Sequence, residues 1–194
     1  MYRLPISVTV GEKVYNIREK GDYRVVLDMI AALNDKELSD NERLISSLIV
    51  FYEDFESVED VLYCADTPTL YQEMLKFTEA GDNSGHKTNH KLIDWEQDEQ
   101  LITAAINPIA QQEIRLIPYL HWWTFIGYYM SIGECSLSYV VGIREKMYKG
   151  KKLEKDEREF MHNNPNYFTF INSREEQEDL LKSIWNVDKN ENEV

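Results

Sequence analysis

The sequence predicts a mainly α-helical domain carrying a β-hairpin at its amino-terminal end. Apolar residues recur at three- and four-residue spacing along most of the 194 residues, the period of a helix with one buried face. Strict two-residue alternation is confined to one short stretch, residues 6–17. Only 8 glycines and 5 prolines punctuate the chain, too few for an all-β protein turning about every ten residues. Hydrophobic residues make up 43% and aromatics 12%, enough to build a core and to exclude a wholly disordered chain.

The elements follow in order. Ile6-Ser7-Val8-Thr9-Val10 and Val14-Tyr15-Asn16-Ile17 alternate around a turn at Gly11-Glu12-Lys13, which predicts the hairpin. A lone hairpin is marginal in water, so it must pack on helices. Asp22 is placed to cap a helix from Tyr23 to about Leu33, with Val26, Leu27, Ile30 and Leu33 on one face. Ser39 with Glu42 forms a capping box before Leu44, Leu48, Phe51 and Tyr52. Ser57 and Asp60 start a further helix at Val58, and Asp66-Thr67-Pro68 ends it and opens another over Leu70, Met74 and Phe77.

Residues 81–89 are polar and glycine-bearing. They divide the chain into an amino-terminal part, residues 1–80, a mobile linker, 81–93, and a helical part, 94–185, with a disordered tail over 186–194. The second part opens on Asp94, read as a cap, followed by Leu101, Ile102, Ala105 and Ile106. Pro108 should kink or end that helix, with Ala110–Leu116 continuing it. Pro118 is read as the start of an aromatic helix that runs to Ile132. Ser136 is read as the next cap, a short helix follows over residues 153–161, and Ser173 with Glu176 caps a last helix bearing Leu180, Leu181, Ile184 and Trp185.

Charge narrows the function classes. Thirty-five acidic against 21 basic residues leave a net −14. That balance disfavours nucleic acid or an anionic membrane as the main partner. The longest apolar stretch, Leu116–Ile132, is broken by Pro118, His121, Gly127 and Ser131 and falls short of a membrane span. The opening Met1-Tyr2-Arg3-Leu4-Pro5 has no signal-peptide core. Cys64 and Cys135 lack CxxC spacing and read as reduced core residues of a cytoplasmic protein.

Candidate chemistry is sparse. His86 and His90 stand four apart, a metal-ligand spacing on a helix, but they fall in the least helical stretch with no third ligand nearby. Asp94, Glu96, Asp98 and Glu99 are explained by the positive end of a helix dipole as well as by acid–base work. His121 lies in an apolar run without a recognisable nucleophile and reads as a structural histidine. Lys146, Lys149, Lys151, Lys152 and Lys155 form a basic island interleaved with Glu145, Glu154, Asp156 and Glu157, read first as a solvated helix–turn surface and second as a docking patch for an acidic partner or for another copy's acidic cluster. There is no phosphate loop, GxSxG, HExxH or dinucleotide fingerprint. The chain is read as a non-enzyme without cofactor or metal.

The run from Leu120 to Met130 is aromatic on every side of a helix, so it must be buried in the chain's own core or under a partner. Trp122, Trp123, Phe125 and Tyr129 are therefore the core or partner-binding candidates, together with Lys149, Lys151 and Lys152.

One pattern is specific. Asp94-x-Glu96-x-Asp98 leads to Leu101-Ile102-x-Ala104-Ala105 and then to Leu120-His121-Trp122-Trp123-x-Phe125, with a basic run from Ile143-Arg144 to Lys152 after it. Leu4-Pro5-x-Ser7-Val8, Val14-Tyr15-x-Ile17 and Leu38-Ser39-Asp40 accompany it. Over roughly residues 4–160 the sequence resembles the bacteriophage gene product 15 family, found in long-tailed phages and prophages of Gram-positive bacteria. It departs from the pattern at Asn107-Pro108. The resemblance implies a tail-assembly chaperone that holds the tape-measure protein and helps tail-tube subunits gather, with no catalytic residues. It also implies location in the cytoplasm of the infected host and absence from the mature virion. The alternative is a structural tail or connector component retained in the particle. Homo-oligomer formation stays open.

Overall fold

The computed structural model describes residues 3–81 and 92–170. Strands β1 (Ser7–Val10) and β2 (Lys13–Asn16) form an antiparallel hairpin with Val8 opposite Tyr15 and Val10 opposite Lys13. Gly11 holds φ at 60° in the first central position of the two-residue turn, where a II′ geometry requires glycine. Eight α-helices follow among the described residues: α1 (Tyr23–Asn34), α2 (Asp40–Phe51), α3 (Val58–Tyr63), α4 (Thr67–Thr78), α5 (Glu99–Ala110), α6 (Trp122–Met130), α7 (Ser136–Tyr148) and α8 (Lys155–Asn163). Short 3-10 turns sit at Arg18–Gly21, Ile114–Leu116 and Pro165–Tyr167. The expected mainly α architecture with its amino-terminal hairpin is what the chain adopts.

The local caps form as their residue types dictate. The Asp22 carboxylate accepts the Arg24 N–H at the start of α1. Ser39 with Glu42, and Ser57 with Asp60, make reciprocal capping boxes at α2 and α3. Each box uses two otherwise orphaned helix-end donors, so these starts need no tertiary help.

The far end of α2 does need help, and Arg18 supplies it. Its guanidinium donates to the carbonyls of Ile49, Val50, Tyr52 and Phe55 at 3.0 to 3.2 Å. Arg18 is held there by a left-handed turn in which Glu19, Lys20 and Gly21 take φ of 48°, 55° and 78°. The hairpin is thereby tied to α2, and the Glu53 N–H extends the tie by donating to the Asn16 carbonyl at 3.0 Å.

Residues on both sides of the undescribed 82–91 segment share one core. Met29, Leu48, Phe51, Tyr52, Leu70 and Met74 from the first part pack in the same cluster as Ile102, Ile106, Ile114, Trp122 and Phe125 from the second. The last predicted helix, from Ser173, and the His86–His90 pair lie outside the described residues.

Several helix boundaries differ from expectation, those at Asp98 and His121 for a tertiary reason. Asp94 does not begin α5; its carboxylate caps a separate turn by accepting the Glu96 and Gln97 N–H groups, and α5 starts at Glu99 because Asp98 is drawn into the core. Pro108 sits in the last turn of α5, which ends at Ala110 instead of continuing to Leu116. Asn107 closes the return: its Nδ2 donates to Glu113 and its Oδ1 accepts the Ile114 N–H at 3.0 Å. This gives the Asn107-Pro108 departure a structural role as a helix stop. Pro118 does not start α6; residues 118–120 are not helical, and His121 is the cap. Cys135, not Ser136, occupies the cap position of α7, and Ser138 Oγ accepts its N–H.

Candidate functional site

The Leu-His-Trp-Trp element forms a clasp where the two parts of the chain meet. The Leu120 N–H donates to Asp22 Oδ2 at 2.8 Å, and the Leu120 carbonyl accepts the Tyr23 N–H at 2.9 Å. Asp22 is fully buried, and its charge is met by the Arg24 guanidinium, whose other nitrogen reaches the Ile117 carbonyl at 2.8 Å. One carboxylate therefore caps α1, pairs with an arginine and fixes the entry to α6.

His121 turns the corner. Its Nδ1 accepts the Trp123 N–H at 3.1 Å and so caps α6. Only an unprotonated Nδ1 can accept, so the ring proton resides on Nε2, which donates to the Pro5 carbonyl at 2.9 Å. One imidazole thus ties the leading segment of the hairpin to α6. Burial lowers its pKa below the ordinary imidazole value; the Pro5 hydrogen bond and the Asp22 charge oppose this in part. The unfolded chain takes up this proton near pH ~6.5 while the folded chain resists it. Stability from His121 is therefore complete above that pH and is lost on acidification. Urea unfolding at pH 7.5 and 5.5 should show wild type losing more stability than His121→Asn, which keeps a capping side chain without the titration. Equal losses would contradict the neutral-cap assignment.

The two tryptophans complete the clasp by ending α4. Trp122 Nε1 donates to the Thr78 carbonyl and Trp123 Nε1 to the Phe77 carbonyl, both at 3.0 Å. Adjacent indoles thus donate to adjacent carbonyls at the helix terminus, the Phe77 one also accepting the Ala80 N–H at 3.1 Å. Trp122 is only 2% exposed and stacks near Phe125 and Trp95; Trp123 is half-buried against Phe77. Phe125 is buried and stacks on Tyr23 at 4.7 Å, and Tyr129 is half-buried against Trp95. The clasp is a core feature, and Trp122 has no surface to offer a partner. Trp122→Ala should cost about 3–5 kcal/mol and Trp123→Ala less, measured by equilibrium unfolding. The reverse order would mean that the Trp122 ring is not the buried anchor.

A second charged centre was not singled out from sequence. Asp98 and Arg144 form a bidentate pair at 2.6 and 2.8 Å, with side chains 0% and 4% exposed. Arg144 also donates to the Leu92 and Tyr167 carbonyls, and the Phe170 ring lies 4.5 Å from its guanidinium. The usable signal was position: Arg144 falls on the face of α7 that Leu137 and Val140 bury, where a charge needs a partner.

The candidate lysines lie apart from the clasp. Lys149, Lys151 and Lys152 are exposed in the connection from α7 to α8. The acidic cluster disperses: Asp94 caps a turn, Asp98 is buried, and Glu96 and Glu99 face solvent. Among the described residues, no group of three histidine, cysteine or carboxylate side chains is placed to hold a metal ion. Cys64 and Cys135 are free and half-buried. A cavity of about 270 Å³ opens between α1 and α5, with Tyr23, Ile102, Ile114 and Phe125 inside and Arg24, Asp28, Glu99 and Arg115 at its edge. Its arginines are occupied, Arg24 with Asp22 and Arg115 with Glu113.

The model of the family described as bacteriophage Gp15 protein matches residues 2–169. The chain belongs to this family. It is therefore a phage protein. Neither a curated protein nor a solved structure matches it. In this Gp15 protein the stretch that carries the resemblance most specifically, Leu120 to Phe125, is the clasp itself, and the matched region takes in every described helix. Among the described residues no helix is long and apolar enough to cross a membrane.

Proposed function

We propose that this Gp15 protein is a tail-assembly chaperone that binds the tape-measure protein and assists assembly of the tail tube. The observation that carries this reading is the family match over residues 2–169. The structure adds physical support. The aromatic element is consumed in closing the fold, while apolar side chains remain outside it: Leu62 is 64% exposed, Tyr63 87%, Leu116 81% and Met130 73%. Apolar contacts on a body of net charge −14 suit a protein that covers an aggregation-prone partner and keeps the complex in solution. The role is one of binding rather than catalysis, performed in the host cytoplasm, and the protein leaves before the particle matures.

Co-expression with the tape-measure protein of the same phage tests this. The tape-measure protein should be soluble and co-purify only when this chain is present. Equal solubility without it overturns the reading. Mass spectrometry of purified particles should not find the chain; a fixed copy number in the particle would establish a structural tail or connector component instead.

A further inference from the structure

We infer that the shoulder formed by the end of α7 and the connection to α8 is a docking surface for a short acidic segment with an apolar anchor on a partner protein. From Lys149 to Lys155 the chain holds four lysines against one acidic residue, Glu154, within a molecule of net charge −14. Lys149 pairs with Glu145, and Lys146 with Glu157 behind it. Lys151, Lys152 and Lys155 are exposed and pair with no carboxylate among the described residues. Beside them the last turn of α7 presents Met147 at 44% and Tyr148 at 59% exposure. Positive charge and apolar surface thus adjoin on one shoulder of an acidic protein.

Charge complementarity selects the occupant. At physiological salt, charges beyond about 8 Å are screened, so a short acidic segment experiences the lysines rather than the whole molecule. A long polyanion such as nucleic acid would run off the patch onto Glu154, Asp156 and Glu159, all exposed. A second copy offers no matching acidic block at Asp94–Glu99, because Asp98 is buried and Asp94 caps a turn. A partner segment with carboxylates for the lysines and one large apolar side chain for Met147 and Tyr148 satisfies both halves of the surface. That the partner is the tape-measure protein rests on the chaperone reading; the chemistry of the surface does not.

The test uses the full chain and a fluorescent synthetic peptide bearing glutamates and a Leu-Trp anchor, with a lysine-bearing peptide of the same apolar residues and a DNA duplex as comparison probes. The acidic peptide should bind, at least ~10-fold more weakly to K151E/K152E and more weakly as salt rises from about 50 to about 300 mM. Both lysines are exposed and pair with no carboxylate among the described residues, so the variant should keep its fold, checked by circular dichroism. No binding, an unchanged affinity in the variant, or tighter binding of the lysine peptide or of DNA overturns the inference. Residues 171–194 lie outside the described residues and are themselves acidic. If E175Q/E176Q/E178Q/D179N strengthens peptide binding ~10-fold, the chain's own terminal segment is the occupant and the partner assignment falls. The titration contains no tape-measure protein, so its failure leaves the chaperone reading standing, and failure of co-expression leaves the surface standing.

Discussion

Gly21→Ala should destabilise the fold by about 3 kcal/mol, lowering the melting temperature by about 10 °C for a chain of this size. Two costs combine. Gly21 holds φ at 78°, a left-handed conformation that a side chain resists. A Cβ there would also stand 2.8 Å from Phe77 Cζ and 3.2 Å from His121 Nε2. Phe77 and His121 cannot easily yield, because Phe77 ends α4 beneath the tryptophans and His121 is held at both ring nitrogens. Gly11→Ala separates the two costs. Gly11 also has positive φ, 60°, yet nothing lies within 4 Å of its added Cβ. It should lose only about 1 kcal/mol, and similar losses at both positions would show that the packing against His121 is not tight. Thermal melts followed by far-UV circular dichroism decide it.

Breaking the Asp98–Arg144 pair should be comparably severe. Asp98→Ala leaves a guanidinium in the core with two carbonyls for company, and Arg144→Ala leaves a buried carboxylate; each should cost about 3–5 kcal/mol. Replacing both together, as Asp98→Leu with Arg144→Met, removes the desolvation penalty with the attraction. The double variant should be more stable than either single one. Urea unfolding of the four proteins measures the coupling directly. Additive losses would mean that the two side chains are stabilised separately, by the Asp94, Leu92 and Tyr167 backbone groups.

What the sequence made legible divides along the same line. The Asp22 cap and the boxes at Ser39 and Ser57 depend on residues within four positions of each other and the hairpin on a two-residue turn, and they form where local chemistry places them. Asp94 and Pro118 looked like equally good helix starts. They lost to Asp98 and His121, whose positions are set by partners 46 residues away, Arg144, and 116 residues away, Pro5. Arg18 and the packing at Gly21 carried no local signal, since one acts on the end of α2 and the other leaves room for Phe77 and His121. The aromatic run could be recognised as buried from its composition, but not as the cap of α4. That role appears only when Phe77 and Thr78 are brought beneath it.

The Leu-His-Trp-Trp element binds the two parts of the chain into one folding unit. Three of the four tryptophans, Trp95, Trp122 and Trp123, lie around the clasp, while far-UV circular dichroism reports helices throughout the chain. The most direct measurement is the urea unfolding of wild type and Gly21→Ala, each followed by both signals. A single unit predicts one transition per protein, with coincident midpoints and the same shift in both signals on substitution. A tryptophan transition that stays in place while the helical signal shifts would contradict it.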